Sequence, residues 1–210
     1  MRAKLMSLFL LGLVRLLTGA QARWYGCPPK AEQRIYFANH QSHADLVMIW
    51  AALPQELRSI TRPIAARDYW TRTPFRQWLT SAVFNAVYVD RSRAAPAADG
   101  TPEPDPLEPL VQALTSGDSI ILFPEGTRGH AEEPQPFKAG LYNLALKFPQ
   151  VVLVPAWIDN VQRVMPKGEV VPVPILCSVT FGAPIQVQAG EERRPFLDRA
   201  RQAVIALRDV

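Results

Sequence analysis

The feature that most constrains the fold is a polar segment, Asn39–Asp45, which separates two apolar segments of different periodicity. Before it, Arg34–Ala38 is short and rich in aromatic and β-branched residues, a pattern typical of a buried strand. After it, Leu46–Leu53 is apolar and ends at Pro54, a pattern typical of a buried helix. The polar residues therefore lie where a strand passes into a helix. In open α/β sheets, ligands bind at the carboxyl ends of strands.

The same alternation of short strands and helices continues along most of the chain. Further strands are predicted at Ala82–Val89, Ser119–Phe123, Val151–Val154 (ended by Pro155) and Cys177–Phe181. Further helices are predicted at Thr71–Ser81, Leu107–Ser116, Lys138–Phe148 and Phe196–Arg208. A chain of 210 residues can bury one full core. The pattern predicts an α/β fold, with a mostly parallel mixed sheet flanked by helices.

The N-terminal segment Leu5–Leu17 is strongly apolar but shorter than the ~20 residues that a membrane-spanning helix needs. A polar stripe at helical spacing, interrupted by Leu11, consists of Lys4, Ser7, Arg15 and Thr18. This pattern predicts an amphipathic helix lying in the interface of an anionic membrane. Two alternatives are an ordinary helix packed on the core and a secretory signal cleaved near Gly19–Ala22. Arg15 interrupts the apolar region and so argues against the signal.

Charge and cysteine content exclude some functional classes. The formal net charge of +4 is mild, and it suits an anionic membrane surface or a phosphate-bearing substrate better than a nucleic-acid groove. Cys27 and Cys177 are too few and too far apart for a disulfide framework or a thiolate zinc site.

Three predicted strands end in polar residues: His40 with Asp45, Asp90 with Arg91, and the segment Glu125–Arg128. In a parallel sheet all three ends would meet at one edge. His40 can accept a proton near neutral pH, and a carboxylate such as Asp45 would fix its tautomer. The chain has no Gly-x-Ser-x-Gly nucleophile elbow, so this base suits the activation of a substrate hydroxyl. Arg91 and Arg128 are suited to bidentate binding of a phosphate.

These residues form ordered blocks that resemble a known family. Asn39–Asp45 matches the N-H-x-S-x-x-D block, and Phe123–Arg128 matches the F-P-E-G-T-R block, of glycerolipid acyltransferases similar to bacterial 1-acylglycerol-3-phosphate acyltransferase. Between and after them, Val89–Arg91 is similar to the end of the second block, Phe137–Gly140 to the F-K-x-G segment, and Val154–Ala156 to the fourth block. The resemblance covers Ile35–Ile158, and two long blocks in order are specific evidence.

The resemblance implies that His40 deprotonates the free hydroxyl of lysophosphatidate while Asp45 orients the imidazole. The hydroxyl would attack the thioester of acyl-CoA or acyl-carrier protein without an acyl-enzyme, giving phosphatidate in phospholipid biosynthesis. Neither a metal nor another cofactor is implied. The residues implied to bind the acceptor are Arg91, Glu125, Gly126, Thr127 and Arg128.

The pattern of the N-terminal segment, the charge and the resemblance together predict how the chain is divided and where the protein works. Residues 1–30 would form a membrane-interface segment and residues 31–210 the acyltransferase domain. The protein would lie on the cytoplasmic face of the bacterial inner membrane, without a nucleic-acid partner. Where the family has a glycine six residues before the arginine of the second block, this chain has Asn85, which bears on substrate approach and acceptor identity.

Other readings of the same residues stay open. The acceptor could be a different lysolipid or a polar alcohol, and Ser42 with Asp45 also forms the S-x-x-D pattern of a helix capping box. His40, His43, Asp45 and His130 could form a metal site for hydrolysis. The protein could also bind membrane lipid without catalysing a reaction.

Overall fold

The computed structural model describes residues 2–19, 21–42, 44–90, 105–129, 131, 133–159 and 176–210. Its strands are β1 (Gln21–Trp24), β2 (Arg34–Ala38), β3 (Thr61–Ala66), β4 (Val87–Val89), β5 (Ser119–Leu122), β6 (Val152–Asp159) and β7 (Ser178–Phe181). Its α-helices are α1 (Arg2–Thr18), α2 (Asp45–Ala52), α3 (Gln55–Ser59), α4 (Arg67–Trp70), α5 (Pro74–Trp78), α6 (Glu108–Thr115), α7 (Gly140–Lys147) and α8 (Arg193–Ile205). A π-helical turn, Leu79–Val83, follows α5.

In the described part of the chain, seven strands form one sheet in the order β1-β7-β6-β2-β5-β3-β4. Neighbouring strands are parallel except for the antiparallel pair β6 and β7. The predicted α/β class and mostly parallel mixed sheet are therefore confirmed. All five residues of β2 are buried, because this strand lies at the centre of the sheet with a helical layer on each face.

The core consists of one apolar layer on each face of the sheet. On one face, α2 buries Met48, Ile49 and Trp50, and α1 contributes partly buried side chains. On the other face lie α6, α7 and α8, whose most deeply buried residues include Leu141 and Phe196. The two layers hold the strands in place, and so they fix the positions of the loops at the strand ends.

Two predicted strand boundaries are wrong. The strand predicted over Ala82–Val89 is only β4, because Ala82 and Val83 complete the π-helical turn and Asn85 then has a left-handed backbone with φ +50°. The strand predicted to end at Pro155 continues to Asp159 as β6. Pro155 pairs in register with Phe37. A proline removes one N–H donor, but its φ is compatible with an extended backbone, so the strand continues through it.

Two strands were not predicted. β3 contains Pro63 and a charged residue, which weaken the strand pattern, yet it pairs with both β4 and β5. β1 forms the edge of the sheet and pairs with β7, so the main sheet begins within residues 1–30. The boundary between a membrane-interface segment and a catalytic domain stays a prediction.

The N-terminal helix is present, and it lies partly on the core. Leu10, Leu11 and Val14 pack against the apolar layer that contains α2, and Thr18 is buried. The other side of α1 exposes Leu8 and several neighbouring apolar residues. Thr18, a member of the predicted polar stripe, thus faces the core, and the amphipathic character of α1 stays a prediction. Among the described residues, no helix has the length and apolarity to cross a bilayer.

Candidate active site

The sheet brings His40, Asp45 and the segment Glu125–Arg128 to one edge. β2 and β5 are adjacent and parallel, with Phe37 opposite Leu122, so the segments that follow them leave the sheet side by side. His40 follows β2, and Glu125 follows β5. The backbone N–H of Gly129 donates a hydrogen bond to the His40 carbonyl over 2.8 Å, which joins the two segments.

His40 and Asp45 form a direct pair. The distance from His40 Nδ1 to Asp45 Oδ2 is 2.9 Å, and the imidazole stacks on Phe123 with ring centroids 4.3 Å apart. Because Asp45 accepts the hydrogen bond from Nδ1, the other ring nitrogen, Nε2, is left as the proton acceptor. The His40 side chain is 20% exposed, so this nitrogen can be reached from outside.

Asp45 owes its position to the turn that begins α2. Its Oδ2 also accepts hydrogen bonds from the backbone N–H groups of Gln41 (2.7 Å) and Ser42 (2.8 Å). The bond to Ser42 is half of the capping box expected from the sequence, while Ser42 Oγ accepts instead from the Ala44 N–H. The Asp45 side chain is 2% exposed and held by these donors, so it orients the imidazole and remains away from solvent.

Glu125 faces inward. Its Oε1 accepts a hydrogen bond from the His40 N–H over 2.7 Å, and its Oε2 accepts one from the Gln135 N–H over 2.8 Å. Burial raises the pKa of the Glu125 carboxyl above its ordinary value. The two hydrogen bonds and the interaction with His40 lower this pKa, but the net shift is upward. In this geometry Glu125 holds the loop that carries His40. Its predicted contact with the acceptor stays a prediction.

A pocket opens beside the imidazole. It is lined by apolar side chains of α2, β3, α4 and α6, and it has His40 and Arg128 in its wall. Among these apolar residues are Leu46, Ile64, Trp70 and Leu110. A mostly apolar cleft with a few polar groups beside a base can hold the hydrocarbon part of a lipid next to the reacting atoms.

The remaining predicted substrate-binding residues lie in the turn after β5, with one exception. Gly126 and Arg128 line the pocket, and Thr127 is exposed between them. Gly126 has φ +69°, a conformation that favours glycine, and its N–H donates to the Phe123 carbonyl over 3.0 Å. Arg91 lies outside the described residues, and its neighbour Asp90 lines the pocket.

Several residues that position the site were missed at the level of sequence. The side chain of Asn39 exchanges two hydrogen bonds with the backbone of Ile158, at 2.8 and 3.0 Å, and so fixes the segment after β2 to β6. Phe123 stacks on His40, and the Gln135 backbone binds Glu125. Asn39 and Phe123 lie within the two recognised blocks, and that membership was the available signal for them.

The alternative of a metal site depends on His43 and His130, which both lie outside the described residues. Within the described ranges, no three His, Cys, Asp or Glu side chains lie close enough together to hold a metal ion.

A model of the Acyltransferase family matches residues 27–159. Human 1-acyl-sn-glycerol-3-phosphate acyltransferase alpha is 32% identical over 144 residues, which cover 67% of this chain and 46% of the relative. The coconut (Cocos nucifera) 1-acyl-sn-glycerol-3-phosphate acyltransferase is 30% identical over 168 residues, covering 76% of this chain and 48% of the relative. A lyso-ornithine lipid O-acyltransferase of Brucella abortus is 25% identical over 124 residues, covering 57% and 38%. The chain spans about half the length of the curated relatives it matches.

Among solved structures, the crystal structure of the 1-acyl-sn-glycerophosphate acyltransferase of Thermotoga maritima matches with a TM-score of 0.68. The match covers 99% of this chain and 80% of that chain, at 20% sequence identity. At this identity the likeness shows a shared fold.

Proposed function

The chain belongs to the Acyltransferase family, and from this we propose that it transfers a fatty acyl chain from a thioester donor to the free hydroxyl of lysophosphatidate. The product is phosphatidate, and the reaction is a step of phospholipid biosynthesis. The observation that carries the proposal is the pair formed by His40 Nδ1 and Asp45 Oδ2, 2.9 Å apart, with His40 in the wall of an apolar pocket.

His40 is the general base of the proposed mechanism. Its Nε2 takes the proton of the acceptor hydroxyl as the oxygen attacks the thioester carbonyl carbon, and buried Asp45 stabilises the imidazolium that forms. The tetrahedral intermediate then collapses, the carbon–sulfur bond breaks, and the thiol leaves with the proton from His40. The acyl chain passes directly between the substrates, with no acyl-enzyme.

The donor is acyl-CoA or acyl-carrier protein, and either enters as a substrate. This base-assisted transfer calls for no metal or prosthetic group. The acceptor phosphate lies at Arg128 and the turn after β5, while the apolar pocket holds a hydrocarbon chain. Arg91 is proposed to bind the same phosphate, as the family resemblance implies.

The protein works at a membrane surface, which we place at the cytoplasmic face. The exposed side of α1 presents apolar residues, among them Leu5, Leu8 and Leu16, which are 61%, 67% and 82% exposed. Arg2 and Lys4 flank them at the helix start. Apolar side chains beside basic ones suit a helix that lies in the headgroup region of an anionic leaflet.

Thiol release from palmitoyl-CoA tests the function. The purified protein would be assayed with lysophosphatidate, with other lysolipids including lyso-ornithine lipid, and with no acceptor. His40→Ala and Asp45→Asn should each lower lysophosphatidate-dependent release by about a hundredfold or more. Lys147→Ala, which alters an exposed residue at the end of α7, should leave the rate unchanged.

The other outcomes separate the alternatives. Release with a different lysolipid only would keep the chemistry and change the acceptor. Release without any acceptor would mean that the protein is a thioesterase. Vesicle binding without any release, with acyl-carrier protein also tried as donor, would favour a lipid-binding protein that is not an enzyme.

A further inference from the structure

The side chain of Lys138 lies over the turn that follows β5. A Cβ atom added to Gly126 would be 2.6 Å from Lys138 Nζ and 3.0 Å from its Cδ and Cε. The backbone N–H of Lys138 donates to the Pro124 carbonyl over 2.9 Å, so both ends of this lysine are next to the turn. The ammonium therefore lies beside Gly126, which itself lines the pocket together with His40.

This part of the pocket mouth carries positive charge that no described side chain neutralises. Within the described residues, neither Lys138 Nζ nor the Arg128 guanidinium has an ion-pair or hydrogen-bond partner. The nearby carboxylate of Glu125 faces inward, with each oxygen bound by a backbone N–H. Lys138 Nζ lies beside Gly126, and Arg128 lines the pocket two residues further along the turn. Like charges in one region raise the local positive potential and so favour the binding of an anion there.

The turn also offers backbone donors. Among the described residues, the N–H groups of Thr127 and Arg128 have no hydrogen-bond partner, and they follow Gly126 at its φ of +69°. Successive free N–H groups after a left-handed residue can form a concave anion-binding site. An ammonium, a guanidinium and these donors together suit a compact, doubly charged phosphate.

We propose that Lys138 binds the phosphate of the acceptor lipid together with Arg128. This inference rests on the proposed function, because the phosphate ester of lysophosphatidate is on the carbon next to the one that bears the reacting hydroxyl. A phosphate held at this turn places that hydroxyl close to His40, which shares the pocket with Gly126 and Arg128. Lys138 thus positions the acceptor for the proton transfer.

The test compares Lys138→Met with Lys138→Arg in steady-state kinetics with lysophosphatidate and palmitoyl-CoA. Methionine keeps an unbranched stem but has no charge, so KM for lysophosphatidate should rise about tenfold. The value of kcat should stay within about twofold, as expected for lost ground-state binding. KM for palmitoyl-CoA should not change, and Lys138→Arg should retain most of the affinity. The matched control is Lys147→Met, at the exposed end of α7.

The pH dependence adds a readout that a merely structural lysine would not give. A phosphate monoester loses its second negative charge below about pH 6, so the KM ratio of Lys138→Met to wild type should shrink there. Binding of glycerol 3-phosphate, followed by NMR titration, gives a measurement that needs no turnover. The dissociation constant should rise about tenfold in Lys138→Met.

The outcomes distinguish this inference from the proposed function. Wild-type protein without lysophosphatidate-dependent release would overturn the function, and the titration would still test the lysine. An active enzyme whose Lys138→Met variant keeps the wild-type KM for lysophosphatidate would overturn the inference alone. A rise in KM for palmitoyl-CoA instead would also overturn it, since the lysine would then bind a phosphate of the donor.

Discussion

At the scale of single residues, Glu125 is the side chain on which the loops of the site depend most. It is 2% exposed, and it joins the backbone of His40 to that of Gln135. Each oxygen of a carboxyl group can accept a hydrogen bond, whereas the NH2 group of a carboxamide can only donate. Glu125→Gln therefore leaves one buried N–H without an acceptor, and we expect it to lower the free energy of unfolding by about 1–3 kcal/mol.

The loss of unfolding free energy in Glu125→Gln should depend on pH, because burial raises the pKa of the Glu125 carboxyl in the folded state. Above its ordinary pKa, the folded state holds this proton more tightly than the unfolded state. The contribution of Glu125 to stability is thus full below its ordinary pKa of 4.5 and falls as the pH rises through the folded value. Urea unfolding of wild type and Glu125→Gln from about pH 4 to about pH 7 should show a stability gap that narrows with pH. A gap that widens would mean that the N–H groups outweigh desolvation and lower this pKa.

The sequence predicted the contact of His40 with Asp45 but not the direction in which Glu125 points. A five-residue offset across a strand-to-helix turn leaves the two side chains few arrangements, and the observed distance of 2.9 Å agrees with the prediction. For Glu125, the sequence of the turn does not say which face meets the segment after β2. That choice depends on the adjacency of β2 and β5, which is a tertiary feature.

At the scale of elements, Asn85 shows how one departure from a family pattern can have a local cause. It lies between the π-helical turn and β4, and its φ is +50°. Asparagine and glycine both tolerate this left-handed conformation, which explains why either can stand here. Its carbonyl accepts a hydrogen bond from Arg62 Nε over 2.9 Å, and it does not line the pocket. The structure thus links the departure to backbone conformation.

Substitutions at Asn85 should therefore act on stability, according to how well the new residue tolerates a positive φ, and should not change the acceptor preference. Asn85→Gly should be nearly neutral, and Asn85→Ala should lower the free energy of unfolding by about 1 kcal/mol, because a Cβ without a local hydrogen-bonding group is strained at positive φ. Urea unfolding measures this, and rates with several lysolipids provide the second comparison. A change in acceptor preference in Asn85→Gly would show that the side chain acts on the substrate.

Elements with strong apolar patterns were predicted well, and those whose form depends on their neighbours were not. β2 and β5 are compact apolar strands, and both were found close to their predicted bounds. β3 was missed because it carries Pro63 and Arg62, and it is a strand because β4 and β5 pair with its two edges. The π-helical turn Leu79–Val83 crosses the predicted boundary between the helix Thr71–Ser81 and the strand Ala82–Val89, and its form was missed because it depends on hydrogen bonds that the sequence pattern does not show.

At the scale of the whole molecule, the His40–Asp45 pair lies at one edge of the sheet, and α1 lies on one of its faces. The helix packs on the α2 layer through one side and exposes apolar residues on the other. Because α2 begins at Asp45, the layer that α1 covers also supports the His40–Asp45 pair. A membrane in contact with α1 would therefore lie near the pocket, and a lipid acceptor could reach His40 from the bilayer.

This arrangement predicts that membrane binding and activity on membrane-held substrate fail together when the exposed side of α1 is made polar. Each of Leu8 and Leu16 contributes about 1.5–3 kcal/mol on full burial, so Leu8→Asp with Leu16→Asp should weaken binding to anionic vesicles by about a hundredfold or more. Sedimentation with phosphatidylglycerol vesicles measures the binding, and added salt should weaken wild-type binding by screening the basic residues.

Leu146→Asp is the matched control, because Leu146 is 54% exposed on α7, on the opposite face of the sheet. The double variant should keep the wild-type unfolding temperature and its rate with a short-chain, water-soluble acceptor. An equal loss of binding in Leu146→Asp would mean that the membrane contact is not specific to α1.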